Sequence, residues 1–213
     1  MITDERFTAY INSLDNGNPP YLDELEAFAK STQVPIIRKE MQSLMRTLLV
    51  MNKPKRILEV GTAIGFSALF MSEFMPQDGH IVTIEKYEKR IPIAKENFQK
   101  FGKQDKIELL EGDASDILGK LQEPFDFIFM DAAKGQYIHF LPDVLRLLPP
   151  GGVLLSDNVL QDGDIIESKF AVTRRDRTIH KRMREYLYTL KNHEQLETAI
   201  LTLGDGVALS VKK

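Results

Sequence analysis

The feature that most constrains this chain is a change of rhythm at Lys55, where short, almost uniformly apolar runs begin to alternate with amphipathic stretches. RILEV (56–60), HIVTIE (80–85), KIELLEG (106–112), FDFIFMD (125–131) and PGGVLLSDN (150–158) read as strands. Helices are expected between them: through Ser67–Phe74, over YEKRIPIAKENFQKFG with Gly102 as its C-cap, near 114–121, and near 136–148. The basic segment after the fifth strand reads as helical to about Asn192. LETAILTL and GVALSVKK then form a closing pair of strands around a tight Gly-Asp-Gly turn.

Strands with no polar face must be covered on both sides, which favours a parallel sheet between helical layers. The closing pair inserts one antiparallel strand. The fold expected is α/β, a Rossmann-like, doubly wound and mostly parallel seven-stranded sheet with one antiparallel strand, preceded by N-terminal helices. Residues 1–52 supply those helices, with apolar positions three and four apart around Leu22, Leu25, Phe28 and Ala29, and again around Ile37, Met41, Leu44, Met45 and Leu48. GNPP at 17–20 and Pro35 mark their boundaries. One domain over 1–213 is expected, with 53–213 as its Rossmann-like core.

Composition removes several classes. No apolar run approaches the roughly 18 residues of a membrane span, and the N-terminus lacks the basic start and apolar stretch of a secretory signal. Zero cysteines exclude a disulfide framework, a thiolate metal site and a cysteine nucleophile. A cytoplasmic protein without membrane contact is the expectation. The formal charge of −3 conceals an uneven distribution, because residues 169–184 carry seven basic side chains and one acidic one. Such an island is either a docking face for an anionic polymer or a solvated helix face.

In open parallel sheets, ligands sit beyond the carboxyl ends of the strands, and the reactive residues of this sequence fall there. The first strand ends in Glu59-Val60-Gly61-Thr62-Ala63-Ile64-Gly65-Phe66-Ser67. Its G-x-x-x-G spacing differs from the dinucleotide G-x-G-x-x-G, and Glu59 would repel a diphosphate while suiting an amine. Glu85 ends the second strand, where a carboxylate accepts ribose hydroxyls. Asp113 ends the third, where it can bond an adenine amino group or cap the next helix. These acids fit a nucleoside with a cationic amino-acid tail and no phosphate, a description that S-adenosylmethionine meets. Asp131 ends the fourth strand and Asp157-Asn158 the fifth, a set of hard oxygen donors suited to Mg²⁺. Asp157-Asn158 equally suits a turn. Lys134 follows Asp131 by three residues, either as a surface lysine or as an amine able to take a proton beside the metal.

ILEVGTAIGFSA, FMDAAKGQY and LLSDN, in this order and spacing, resemble the cation-dependent class I O-methyltransferases of the catechol and caffeoyl-coenzyme A type. The resemblance runs from about residue 35 to the closing GDGVALSVKK. It is nearest to the bacterial branch that methylates 5-hydroxyuridine at the tRNA wobble position. It implies S-adenosylmethionine contacts from Ile37, Glu59, Gly61, Ser67, Glu85, Asp113, Ala114 and Asp131. It also implies a metal set of Asp131, Asp157 and Asn158 for Mg²⁺ or another divalent cation, with Asp131 and Lys134 as catalytic residues and Lys134 as the base. A homodimer is implied too. With a tRNA anticodon loop as substrate, Arg174, Arg175, Arg177, Lys181, Arg182 and Arg184 of the basic island become candidate RNA contacts. The chain departs from animal catechol enzymes at Ala132-Ala133, where they have a more polar pair, and in having no tryptophan. A small catechol-like acceptor is the alternative substrate.

Overall fold

The computed structural model describes residues 4–213, so the first three residues of the N-terminal segment lie outside the described chain. Three helices come first: α1 (Glu5–Ser13), α2 (Pro20–Ser31) and α3 (Lys39–Asn52). Asp4 caps α1 by accepting from the Arg6 amide, Pro20 occupies the first position of α2, and α3 ends where Lys53 turns left-handed at φ 48°. The alternating part follows as β1 (Arg56–Val60), α4 (Phe66–Phe74), β2 (His80–Glu85), α5 (Ile91–Lys100), β3 (Ile107–Glu111), α6 (Ala114–Ile117), β4 (Phe127–Met130), α7 (Tyr137–Leu147), β5 (Val153–Ser156), α8 (Arg177–Asn192), β6 (Leu196–Leu201) and β7 (Val207–Lys212).

The seven strands form one sheet in the order β3-β2-β1-β4-β5-β7-β6. β7 is inserted antiparallel between β5 and β6, and the pairings among β1 to β5 are parallel. The expected fold class is therefore observed. Both faces of β1, β2, β4 and β5 are buried, while the edge strands β3 and β6 keep exposed residues. Ile57, Phe127 and Phe129 face one layer, where they meet Leu22, Met45 and Leu49 of the N-terminal helices and Phe66 and Phe70 of α4. Leu58, Ile128 and Met130 face the other, against Phe140 and Val144 of α7 and Met183 and Tyr186 of α8. Helices α2 and α3 thus complete one face of the core and are packed into it.

The basic segment departs from expectation. Helix α8 begins only at Arg177, and 161–176 are 3-10 and irregular turns. Left-handed backbone at Gln161 (φ 52°), Asp162 (φ 54°) and Gly163 (φ 101°) breaks any helix there. Thr173 donates to the Asp176 carboxylate at 2.5 Å, and the Asp176 carbonyl then accepts the first helical bond, from His180, at 2.8 Å.

Candidate active site

Chain order reverses across the sheet between β1 and β4, and a cavity of about 450 Å³ opens beyond the carboxyl ends of β1 to β5. The turn after β1 makes room for it. Gly61 has φ 110°, and a Cβ there would lie 2.2 Å from the Asp131 carbonyl oxygen, so only glycine lets the β1 and β4 ends come together. Gly65, at φ 86°, caps α4 with its Cα against the Phe98 ring.

Acidic groups ring one side of the cavity. Glu85 is buried at the end of β2, and its two oxygens accept from the amides of Ala63 (2.7 Å), Lys86 (3.0 Å) and Tyr87 (2.8 Å). Those bonds pin a carboxylate at the wall with its remaining lone pairs free. Asp113 takes one of its two expected roles, the helix cap, and stands where the other would be played. It caps α6 through the Ser115 amide at 2.9 Å and lines the cavity. That bond and Lys86, at 3.1 Å, hold its carboxyl below the ordinary range. Glu59 lies under the floor, fully buried. One oxygen accepts from Thr83 at 2.5 Å, and Oε1 has no partner among the described residues. Burial pushes the Glu59 carboxyl up to about 7, with the charges of Asp131 and Glu85 adding to the rise. An unpartnered buried carboxylate oxygen suits an ammonium group.

Asp131, Asp157 and Asn158 line the opposite side. The Asp131 amide bonds to the Val60 carbonyl at 3.0 Å and the Asp157 amide to the Met130 carbonyl at 2.9 Å, so both side chains leave adjoining strand ends. Asn158 turns left-handed at φ 56°. Burial raises both carboxyls, and the charge of Asp131 raises Asp157 further. Among the described residues neither carboxylate forms a salt bridge with Lys, Arg or His. Two buried carboxylates that repel each other beside a carboxamide oxygen fit a hard divalent cation. No three His, Cys, Asp or Glu side chains gather for a metal among the described residues.

Seven of the expected positions line this cavity: Gly61, Glu85, Asp113, Ala114, Asp131, Asp157 and Asn158. Glu59 and Ser67 are buried next to it, and Ile37 is buried while its neighbours Ile36 and Arg38 reach the cavity wall. Lys134 sits in the 3-10 turn Lys134–Gln136, outside the lining, yet close enough for its charge to lower the Asp131 carboxyl. Arg177, Lys181, Arg182 and Arg184 line a second groove, of about 1030 Å³, with Phe170 and His139, and Arg182 donates to the Gly135 carbonyl at 3.1 Å. Arg174 and Arg175 are exposed in the preceding turn.

Sequence reasoning missed three residues. The Tyr137 hydroxyl donates toward the carbonyls of Met130 (3.0 Å) and Asp157 (3.2 Å), tying the strand ends that carry the paired carboxylates. Arg38 and Asp205 reach the cavity from the segment before α3 and from the β6–β7 turn. Tyr137 closes the FMDAAKGQY run, which signalled it, whereas nothing local marked Arg38.

The O-methyltransferase family model matches residues 12–213. The catechol O-methyltransferase of Mycobacterium tuberculosis is 30% identical over 211 residues, 95% of this chain and 93% of that protein. That of Niastella koreensis is 35% identical over 127 residues, where the match spans 58% of this chain and 58% of that protein. An S-adenosylhomocysteine-bound methyltransferase of Podospora anserina superposes with a TM-score of 0.88 at 30% identity, covering 98% of this chain and 94% of that one.

Proposed function

This chain belongs to the O-methyltransferase family, and from that premise we propose that it methylates 5-hydroxyuridine at the wobble position of tRNA, giving 5-methoxyuridine. The coarser activity is S-adenosylmethionine-dependent O-methyl transfer of the catechol and caffeoyl-coenzyme A type. Methyl transfer from a sulfonium is an in-line displacement, so the protein has to position two reactants and supply an oxyanion. Glu59, Glu85 and Asp113 would hold the amine, ribose and adenine of the cofactor. Asp131, Asp157 and Asn158 would hold the cation, Mg²⁺ being the hard ion such oxygens suit. When bound, it lowers the pKa of a coordinated hydroxyl. Lys134, next to Asp131, would accept that hydroxyl's proton.

The observation that carries the tRNA reading is the cationic groove of α8, joined to the turn of Lys134 through the Arg182–Gly135 bond. An anticodon loop offers unpaired bases whose flanking phosphates such a groove can bind. The 5-hydroxyl and 4-carbonyl oxygen of 5-hydroxyuracil form a chelating pair like that of a catechol. The names of the two bacterial relatives favour the second reading, a small catechol as acceptor.

The test is incubation with methyl-labelled S-adenosylmethionine and tRNA from cells lacking this gene, followed by nucleoside mass analysis. Label in 5-methoxyuridine, lost on chelation of divalent ions, is expected. Label that enters catechol while tRNA stays unlabelled would overturn the tRNA reading.

A further inference from the structure

Asp205 is an acid for which cofactor and cation leave no task. It lies in the turn between β6 and β7, 8% exposed, and lines the same cavity as Asp157 and Asn158. Arg38 donates to its Oδ2 at 2.8 Å, while Oδ1 is buried without a partner among the described residues. Asp162 faces the pair from the neighbouring turn, 4.0 Å from the Arg38 guanidinium. Burial, together with the Asp162 carboxyl beside it, raises the Asp205 carboxyl above its ordinary range. A buried acceptor left unpaired is costly and calls for an explanation.

The turn is fastened to the proposed substrate side. Val159 donates to the Gly206 carbonyl and Leu160 to that of Asp205, both at 2.9 Å, so the Asp205 turn forms the wall beside Asp157-Asn158. Gly206 permits the approach, because a Cβ there would meet the Leu160 side chain at 2.2 Å.

We propose that Asp205, positioned by Arg38, accepts a hydrogen bond from the N3–H of the acceptor pyrimidine and selects a 5-hydroxyuracil over a catechol ring. This rests on the 5-hydroxyuridine reading above. In 5-hydroxyuracil the 5-oxygen, the 4-oxygen and N3–H follow one another around one edge. A ring anchored through its two oxygens presents N3–H to the wall beside the anchor. A catechol has C–H at that place and leaves Oδ1 unpaired. Sites built to bond a substrate N–H discriminate strongly against analogues without it.

The experiment compares anticodon-loop oligonucleotides carrying 5-hydroxyuridine or its N3-methyl derivative, with kcat/KM measured for each. The unchanged protein is expected to prefer the N3–H substrate by about 10- to 100-fold, the range of one charge-assisted hydrogen bond. Asp205→Ala is expected to bring that ratio to near one. Arg38→Gln should lower it by less, through loss of the bond that holds Asp205. The N3 imino proton of the bound 5-hydroxyuridine should be protected from exchange in the unchanged protein and not in Asp205→Ala. Binding of S-adenosylhomocysteine reports whether each variant is folded. Should Asp205→Ala fail that check, Asp205→Asn serves, since Arg38 claims its carbonyl oxygen and leaves the amide nitrogen facing N3–H. Methylation of 5-hydroxyuridine with no N3 preference, or a preference that survives loss of the carboxylate, overturns the role of Asp205 alone. Methylation of neither oligonucleotide overturns it together with the tRNA reading.

Discussion

Beneath the glycine turn, Glu59 accepts from Thr83 with one oxygen and keeps the other free, in a place where burial pushes its carboxyl up to about 7. Its folded value of about 7 exceeds the ordinary 4.5, so between those pH values the folded state holds a proton that the unfolded chain has lost. Without ligand, this group therefore makes stability fall as pH rises from about 4.5 to 7. Cofactor binding works in the opposite sense, because an ammonium group pairs with the ionised form. Affinity for S-adenosylmethionine is expected to rise with pH through about 7 and then level off. Calorimetric titration from pH 5.5 to 8.5 checks this, and Glu59→Gln should flatten the profile while weakening binding at pH 8. A profile unchanged by Glu59→Gln would remove Glu59 from cofactor binding. Glu59 was legible in sequence as an acid beneath a glycine turn. Its withdrawal below the cavity floor was not, because that depends on how closely Gly61 lets Asp131 approach.

At the scale of elements, β1, β2, β4 and β5 were legible because they are buried on both faces, which leaves apolar runs with no competing pattern, whereas the edge strands β3 and β6 keep exposed residues. Helix α8 was legible only in part. Its buried stripe of His180, Met183, Tyr186, Leu187 and Leu190 has helical spacing, but upstream of Arg177 the charges show no periodicity that separates helix from turn. The difference matters for the proposed RNA contacts, since Arg174 and Arg175 stand on an exposed turn while Arg177, Lys181, Arg182 and Arg184 line the groove. Contacts to phosphates release counterions, and for single-stranded RNA each contributes about 0.7 to the slope of log affinity against log salt. Arg174→Glu with Arg175→Glu is expected to lower tRNA affinity at low salt and to reduce that slope by about 1 to 1.4. Filter binding across a salt series measures both quantities. A slope equal to that of the unchanged protein would place the two arginines outside the RNA contact, leaving them as solvated charges. Binding of S-adenosylhomocysteine should not change, because both side chains lie away from the cofactor cavity.

For the whole molecule, the layered architecture followed from the alternation of elements, and the position of the cavity followed from the reversal of strand order. The reach of Arg38 to Asp205, 167 positions away, did not, because the sequence near either residue carries no trace of the other. The same holds for what covers α1. Phe7, Tyr10 and Ile11 of that helix, with Leu14 at its C-cap, recur at three- and four-residue spacing, and each is more than half exposed. No residue of α1 is buried, so in a single chain the stripe faces water. A helix with an uncovered apolar face gains from a partner, each large side chain contributing roughly 1.5–3 kcal/mol when fully buried. The homodimer implied by family resemblance supplies such a partner, and we propose that α1 lies in its interface. Light scattering after size exclusion is then expected to report a dimer for the unchanged chain. Phe7→Glu with Ile11→Glu should yield a monomer whose melting temperature shifts little, because the fold loses no buried contact. A monomeric unchanged chain at tens of micromolar rejects the dimer, and a dimer that survives both substitutions moves the interface away from α1. The paired carboxylates and the cofactor wall belong to one chain, so S-adenosylhomocysteine should bind the monomer with undiminished affinity.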